Sequence, residues 1–257
     1  MMAVPAPACE VEKVGEAIEA TMVSGGVWHI VLCRPSKRNA LTLPMFGALA
    51  ETLAIADAHT AVRAIAITAA GPVFCAGHDL KAFAQWPQHP GDPVPRFLHA
   101  LAQLRKPLVI GVHGAGAGIG VTMLLHADWV LAAPGTQLRM PFVDLGIAPE
   151  AASTLLLARH VGALRARSLL LGGEAFSSED AERWGLVTEL APLEALEARV
   201  LQRAAALGAK DPAAFQRIKT MLAEADAVHR RIDDEVDAIN QALQARKSAS
   251  GAAGVAA

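Results

Sequence analysis

The run Lys106-Pro107-Leu108-Val109-Ile110-Gly111-Val112-His113-Gly114-Ala115-Gly116-Ala117-Gly118-Ile119-Gly120 begins β-rich, then passes through glycine at every second position into a helix-forming segment. A second stretch, Phe74-Cys75-Ala76-Gly77-His78-Asp79-Leu80, makes a similar change after a β-rich run and an Ala-Gly-Pro turn. Where an extended run meets a helix start through small residues, backbone N–H groups lack an intrahelical acceptor and point outward. Two such turns facing each other would clamp one oxygen, acting on charge that develops as a carbonyl becomes an enolate. Tight turns and close helix–strand packing are the plainer uses of the same glycines.

Working outward, the spacing predicts strand Val27–Cys33, helix Thr42–His59 with Pro44 in its first turn, and strand Val62–Thr68. It then predicts helix Val94–Leu104, strand Leu108–Val112, helix Ile119–Ala127 and strand Trp129–Ala133. Strands alternating with helices imply an α/β core covered on both faces. Beyond Leu155 the β signal nearly vanishes. Ser177-Ser178-Glu179-Asp180 starts a capped helix that Gly185 stops, and Leu193–Lys247 reads as almost wholly helical. The expected organisation is a loose arm over 1–15, a core over 16–192, a helical region over 193–247 and a frayed tail over 248–257.

Composition excludes several classes. At 257 residues with 53% hydrophobic residues, the chain buries a sizeable core and is no disordered tail. A formal charge of -2 provides no basic field for nucleic acid. Cys9, Cys33 and Cys75 lie far apart, which speaks against a zinc site or disulfide framework and for a reducing cytosol. Met1 to Glu10 lacks the basic and apolar regions of a secretory leader, and the most apolar run, Leu108 to Leu125, is interrupted by His113 and five glycines. A soluble, cytoplasmic protein without a membrane span is expected. The glycines never fall as G-x-G-x-x-G, so a dinucleotide site is disfavoured.

The two glycine segments, their order and their separation resemble the enoyl-CoA hydratase/isomerase (crotonase) superfamily. Arg34-Pro35-Ser36-Lys37-Arg38-Asn39-Ala40-Leu41 resembles its early R-P-x-x-x-N-A-L signature, and Trp184-Gly185-Leu186-Val187-Thr188-Glu189-Leu190 its late G-L-V segment. The likeness covers nearly the whole chain. It implies a spiral of ββα units with a C-terminal helical oligomerisation region, a homotrimer or dimer of trimers, and an acyl-CoA thioester as substrate. Coenzyme A then belongs to the substrate, and no prosthetic group or metal is implied.

The resemblance places the oxyanion-hole donors at the backbone N–H groups of His78 and Ile119, with Ala76, Leu80, Gly118 and Phe142 lining the substrate. The His78 side chain reads as pocket wall, with acid or base as the alternative; Cys75 reads as a buried structural thiol. Lys37 and Ala40 are expected near the adenine and Lys219 near a phosphate, though exposed lysines are usually just solvated. Hydratases of this family carry two glutamates where this chain has Thr122 and Phe142. The segment Pro141 to Glu150 instead resembles P-F-x-x-L-G-x-x-P-E of the peroxisomal-type Δ3,Δ2-enoyl-CoA isomerases, which makes Glu150 the expected base, partly desolvated among apolar neighbours. A cap for the following helix is the alternative role for Glu150, and Asp144 is the reserve base. An atypical hydratase and a non-catalytic acyl-CoA-binding protein remain the rival functions.

Overall fold

The computed structural model describes residues 11–13 and 17–254. In chain order its strands are β1 (Val11–Lys13), β2 (Ile18–Val23), β3 (Val27–Leu32), β4 (Ala64–Ala69), β5 (Leu108–Val112), β6 (Ala115–Ala117), β7 (Trp129–Ala132), β8 (Gln137–Arg139), β9 (Ala175–Ser177) and β10 (Glu189–Leu190). The α-helices are α1 (Leu43–Ala58), α2 (Pro93–Gln103), α3 (Ile119–Thr122), α4 (Ser153–Val161), α5 (Ala163–Gly172), α6 (Ser178–Trp184), α7 (Leu193–Gly208), α8 (Pro212–Leu222) and α9 (Ala225–Gly254). A large sheet of order β1-β2-β3-β4-β5-β7-β10 is parallel from β3 onward, and a small sheet has the order β6-β8-β9. This is the expected mixed α/β architecture with a helical C-terminal region.

Alternation along the central strands sorts side chains between two cores. Ile65 and Ile67 of β4 and Ile110 of β5 join the main core with α1 and α2, while Ala64, Ala66 and Val109 face α7. The α7 side is lined with small residues because the helix approaches closely: a Cβ on Gly111 would stand 2.6 Å from Val200 Cγ2. Strands covered on both faces read as continuous apolar runs, so β4 and β5 were the easiest to locate.

Several expectations are corrected. The segment expected as one helix over Ile119–Ala127 is a four-residue α3 followed by a 3-10 turn, Met123–His126. Two short strands, β9 and β10, lie beyond Leu155; each is too brief for a period-2 pattern to register. The last helix runs to Gly254, past the boundary expected at Lys247, since alanine and serine sustain a helix begun by stronger formers. Within the expected arm, Val11–Lys13 pairs antiparallel with β2, whereas residues 1–10 and 14–16 lie outside the described residues, as do 255–257.

One side chain fastens the loops that carry the site. Asn39 is buried with φ +54, a left-handed conformation that asparagine tolerates. Its Oδ1 accepts the Arg34 N–H (2.7 Å), and its Nδ2 donates to the carbonyls of Ala70 (2.9 Å) and Val73 (2.8 Å) beyond β4. Asn39→Ala leaves three partly buried groups unpaired, and urea denaturation should show about 2–5 kcal/mol of lost stability. A loss below about 1 kcal/mol would mean that the loops hold together without it.

Candidate active site

Both glycine turns lie beyond the carboxyl ends of parallel strands, where open α/β sheets place their ligands. After β4, the chain runs beside residues 38–41: Ala76 N–H donates to Arg38 O (2.9 Å), Leu41 N–H to Gly77 O (2.8 Å) and Asp79 N–H to Leu41 O (2.8 Å). In this parallel bridge the His78 N–H faces the other way and meets no acceptor among the described residues. Gly77 adopts φ +95, and a Cβ there would stand 3.0 Å from Ala117 O, so glycine is required by both conformation and space.

The second turn ends β6. Gly118, at φ +51 and ψ -121, opens α3, its N–H donating to Arg139 O and its carbonyl accepting from Val121 and Thr122. Ile119 is the first helical residue, and its N–H likewise has no acceptor among the described residues. A Cβ on Gly118 would lie 3.9 Å from Gly77 Cα and from Phe142 Cε1. The two turns therefore face each other across bare backbone, bringing both expected donors to one place.

Glu150 closes this constellation. Its residue is 1% exposed; Oε1 accepts from Thr122 Oγ1 at 3.3 Å, and Oε2 lies 3.9 Å from His78 Nδ1. The carboxylate thus spans from α3 to the residue that bears the first donor. Burial, reinforced by the Glu235 carboxylate and opposed by the Thr122 hydrogen bond, pushes it up to about 8. The alternative role, helix capping, is not observed: α4 has Ala152 at its N-cap without a side-chain cap from Glu150. Ala151 and Ala152 follow at φ +65 and +53, a strained pair for residues with a Cβ.

The His78 ring stacks on Phe83 (5.2 Å between centroids) and leans on Phe46 (4.6 Å), walled by Trp86. Burial pulls it down to about 4, so at neutral pH it carries no charge and forms no true ion pair with Glu150 despite their proximity. Burial pushes the Cys75 thiol up to about 12, which keeps it inert.

Other expected residues fare differently. Asp144, expected as the reserve base, is half exposed and paired with Arg139 at 2.9 Å. Lys219 is spent on Asp128 and the Lys106 carbonyl and offers no free ammonium to a phosphate within this chain. Lys37 is exposed at the end of the 3-10 turn Pro35–Lys37, while the Ala40 carbonyl accepts from Arg34. Arg34 also pairs with Asp79 (2.8 Å), which caps the start of the 3-10 helix Leu80–Gln85 and links the two motif loops. Leu80 is 67% exposed at its first position. Sequence reasoning noted Thr122 only as a missing glutamate and passed over Glu235, whose signal was an acid beside Ile232, Val236 and Ile239 on the apolar stripe of α9.

Comparison with known proteins agrees with this geometry. Residues 22–252 match the family model "Enoyl-CoA hydratase/isomerase". The 1,2-epoxyphenylacetyl-CoA isomerase of Escherichia coli K12 is 34% identical over 225 residues, spanning 84% of this chain and 86% of the relative. The 2,3-dehydroadipyl-CoA hydratase of the same organism is 31% identical, covering 77% of this chain and 79% of the relative. The crystal structure of an enoyl-CoA hydratase/isomerase from Pseudoalteromonas atlantica T6c superposes with a TM-score of 0.84 at 31% identity, over 89% of this chain and 92% of that one. With the motifs, the fold and the facing turns in agreement, the chain belongs to the enoyl-CoA hydratase/isomerase family.

Proposed function

We propose that this protein is an enoyl-CoA isomerase that moves a carbon–carbon double bond from Δ3 to Δ2 of an acyl-CoA thioester, akin to the peroxisomal-type branch. The observation that supports this reading is a single carboxylate at the facing turns: Glu150 is held by Thr122, and Phe142 packs beside Gly118. The two positions where hydratases carry glutamates thus hold a hydroxyl and a ring. The other buried carboxylate among the described residues, Glu235, is bonded to the start of α4.

In this mechanism the thioester oxygen accepts from the His78 and Ile119 N–H groups. Glu150 removes a proton from C2, the electron pair spreads into a dienolate with its charge on that oxygen, and the same carboxyl returns the proton to C4. One base suffices because no water is added. Its raised proton affinity suits it to both halves of the transfer, and the apolar walls of Phe46, Phe83, Trp86 and Phe142 discourage hydration. Coenzyme A would lie along the Arg34–Leu41 loop, with Lys37 its exposed cation. No helix of the described residues is long and apolar enough to cross a membrane, in keeping with a cytoplasmic enzyme. The exposed Ile218, Met221 and Leu222 of α8 suit a homotrimeric contact.

Incubation with a 3-enoyl-CoA should yield the conjugated 2-enoyl thioester, read by its ultraviolet absorbance; formation of a 3-hydroxyacyl product from 2-enoyl-CoA without the first activity would reject the isomerase. Glu150→Gln should lower kcat by about 10²–10⁴-fold while ligand affinity persists. Gly118→Ala introduces a side chain at φ +51, so the turn must shift and carry the Ile119 N–H with it; kcat should fall by about 10²-fold or more with KM little changed. Stability supplies a separate check. Because folding raises the Glu150 carboxyl from its ordinary 4.5 to about 8, the folded chain keeps a proton that the unfolded chain releases between those values. Its contribution is intact below about pH 4.5 and is lost as pH rises through about 8. Glu150→Gln should therefore melt higher than the parent at pH 9, with the difference shrinking toward pH 5; equal shifts at both values would contradict the buried carboxyl.

A further inference from the structure

Glu235 lies on α9, far along the chain from Glu150, yet its side chain reaches the turn that follows the base. Its Oε1 accepts from Thr154 N–H (2.9 Å) and Thr154 Oγ1 (2.6 Å). These are orphan donors at the start of α4, the helix whose own N-cap residue, Ala152, has no side chain able to serve. The residue is 4% exposed, and its Oε2 has no partner among the described residues. From the opposite side His126 Nε2 bonds the Ala151 carbonyl at 2.9 Å. The left-handed pair Ala151–Ala152 is thus held at the Ala151 carbonyl by one element and, through the Thr154 amide just beyond it, by another.

A helix cap needs no buried carboxylate, since serine, threonine or asparagine serves at lower desolvation cost. We propose that Glu235 is a positioning residue for the proposed isomerisation: it clamps the strained turn that aims Glu150, and it sets a second buried negative charge behind the base. This inference rests on Glu150 being that base.

The surroundings single out Glu235 as the charge that matters. Around Glu150, burial leaves Cys75 as a thiol and His78 neutral, and around the turn it leaves His126 neutral. The cation facing Glu235 is Arg231, one turn back on α9, whose Nη1 meets Thr154 Oγ1 at 2.8 Å. Burial pushes Glu235 itself up to about 7, and two buried carboxyls resist ionising together, so Glu150 holds its proton longer once Glu235 has lost its own.

The test compares pH–rate profiles of the parent and Glu235→Gln in the 3-enoyl-CoA assay. Glutamine retains an oxygen for the Thr154 N–H but carries no charge. The rising limb should move to lower pH by about half a unit or more, and plateau kcat should drop several-fold because a less basic carboxylate is a poorer proton acceptor. A limb that stays in place, with or without loss of stability, would overturn the proposal, since a purely structural cap moves the melting temperature alone. Should Glu150→Gln keep full turnover, the base assignment itself fails, whatever Glu235→Gln does. If Glu235→Gln does not fold, carbon-13 NMR of carboxyl-labelled glutamate in the parent decides: two coupled, biphasic titrations support the pairing, and two independent single steps overturn it.

Discussion

Everything in this site depends on two stretches of bare backbone coming into contact. Gly77 stands where a Cβ would meet the Ala117 carbonyl, and Gly118 faces Gly77 with nothing between them but Cα atoms and the edge of Phe142. Side chains there would push the turns apart, and the amides of His78 and Ile119 would no longer converge. The lattice around them exists to hold this approach: the Asn39 hydrogen bonds, the Arg34–Asp79 ion pair and the bridge between Leu41 and His78 fix the first turn, while β6 in the small sheet fixes the second. With backbone amides as the candidate donors, the side chain at position 78 is free to pack as a wall, and an imidazole stacked between aromatic rings does so without charge.

The second constraint is the burial of a carboxyl beside that hole. Water is excluded, so the carboxyl gains proton affinity, and the fold gives up stability at alkaline pH to keep it there. Local strain accompanies it in the consecutive left-handed alanines, which persist because His126 and Glu235 over-determine the turn. Reactivity, strain and desolvation fall within a few residues of one another, and the cost is spread over α4, α9 and the core that buries them.

Much of this was legible in the amino-acid order, for identifiable reasons. Continuous apolar runs located β4 and β5, and turn chemistry located the two glycine turns, since only glycine admits the backbone angles found at 77 and 118; the resemblance placed the expected donors in them. The Pro141–Glu150 segment marked the candidate base through a resemblance, while its apolar neighbours hinted at desolvation. Short strands such as β9 and β10 escaped because two or three residues carry no period, and Lys219 misled because a lysine on an amphipathic helix looks the same whether or not an aspartate awaits it.

The sequence by itself determined the α/β character and the two turns, because these follow from local conformational preference and short-range spacing, and its resemblance to a family singled out the candidate acids. Tertiary structure alone decided which acid is buried and which is solvated. Asp144 and Glu150 lie six residues apart, yet one sits in an exposed ion pair with Arg139 and the other is buried against Thr122 and His78, within reach of the charge of Glu235 on α9. Proton affinity depends on the atoms that displace water around a group, and those atoms come from segments that only folding brings together.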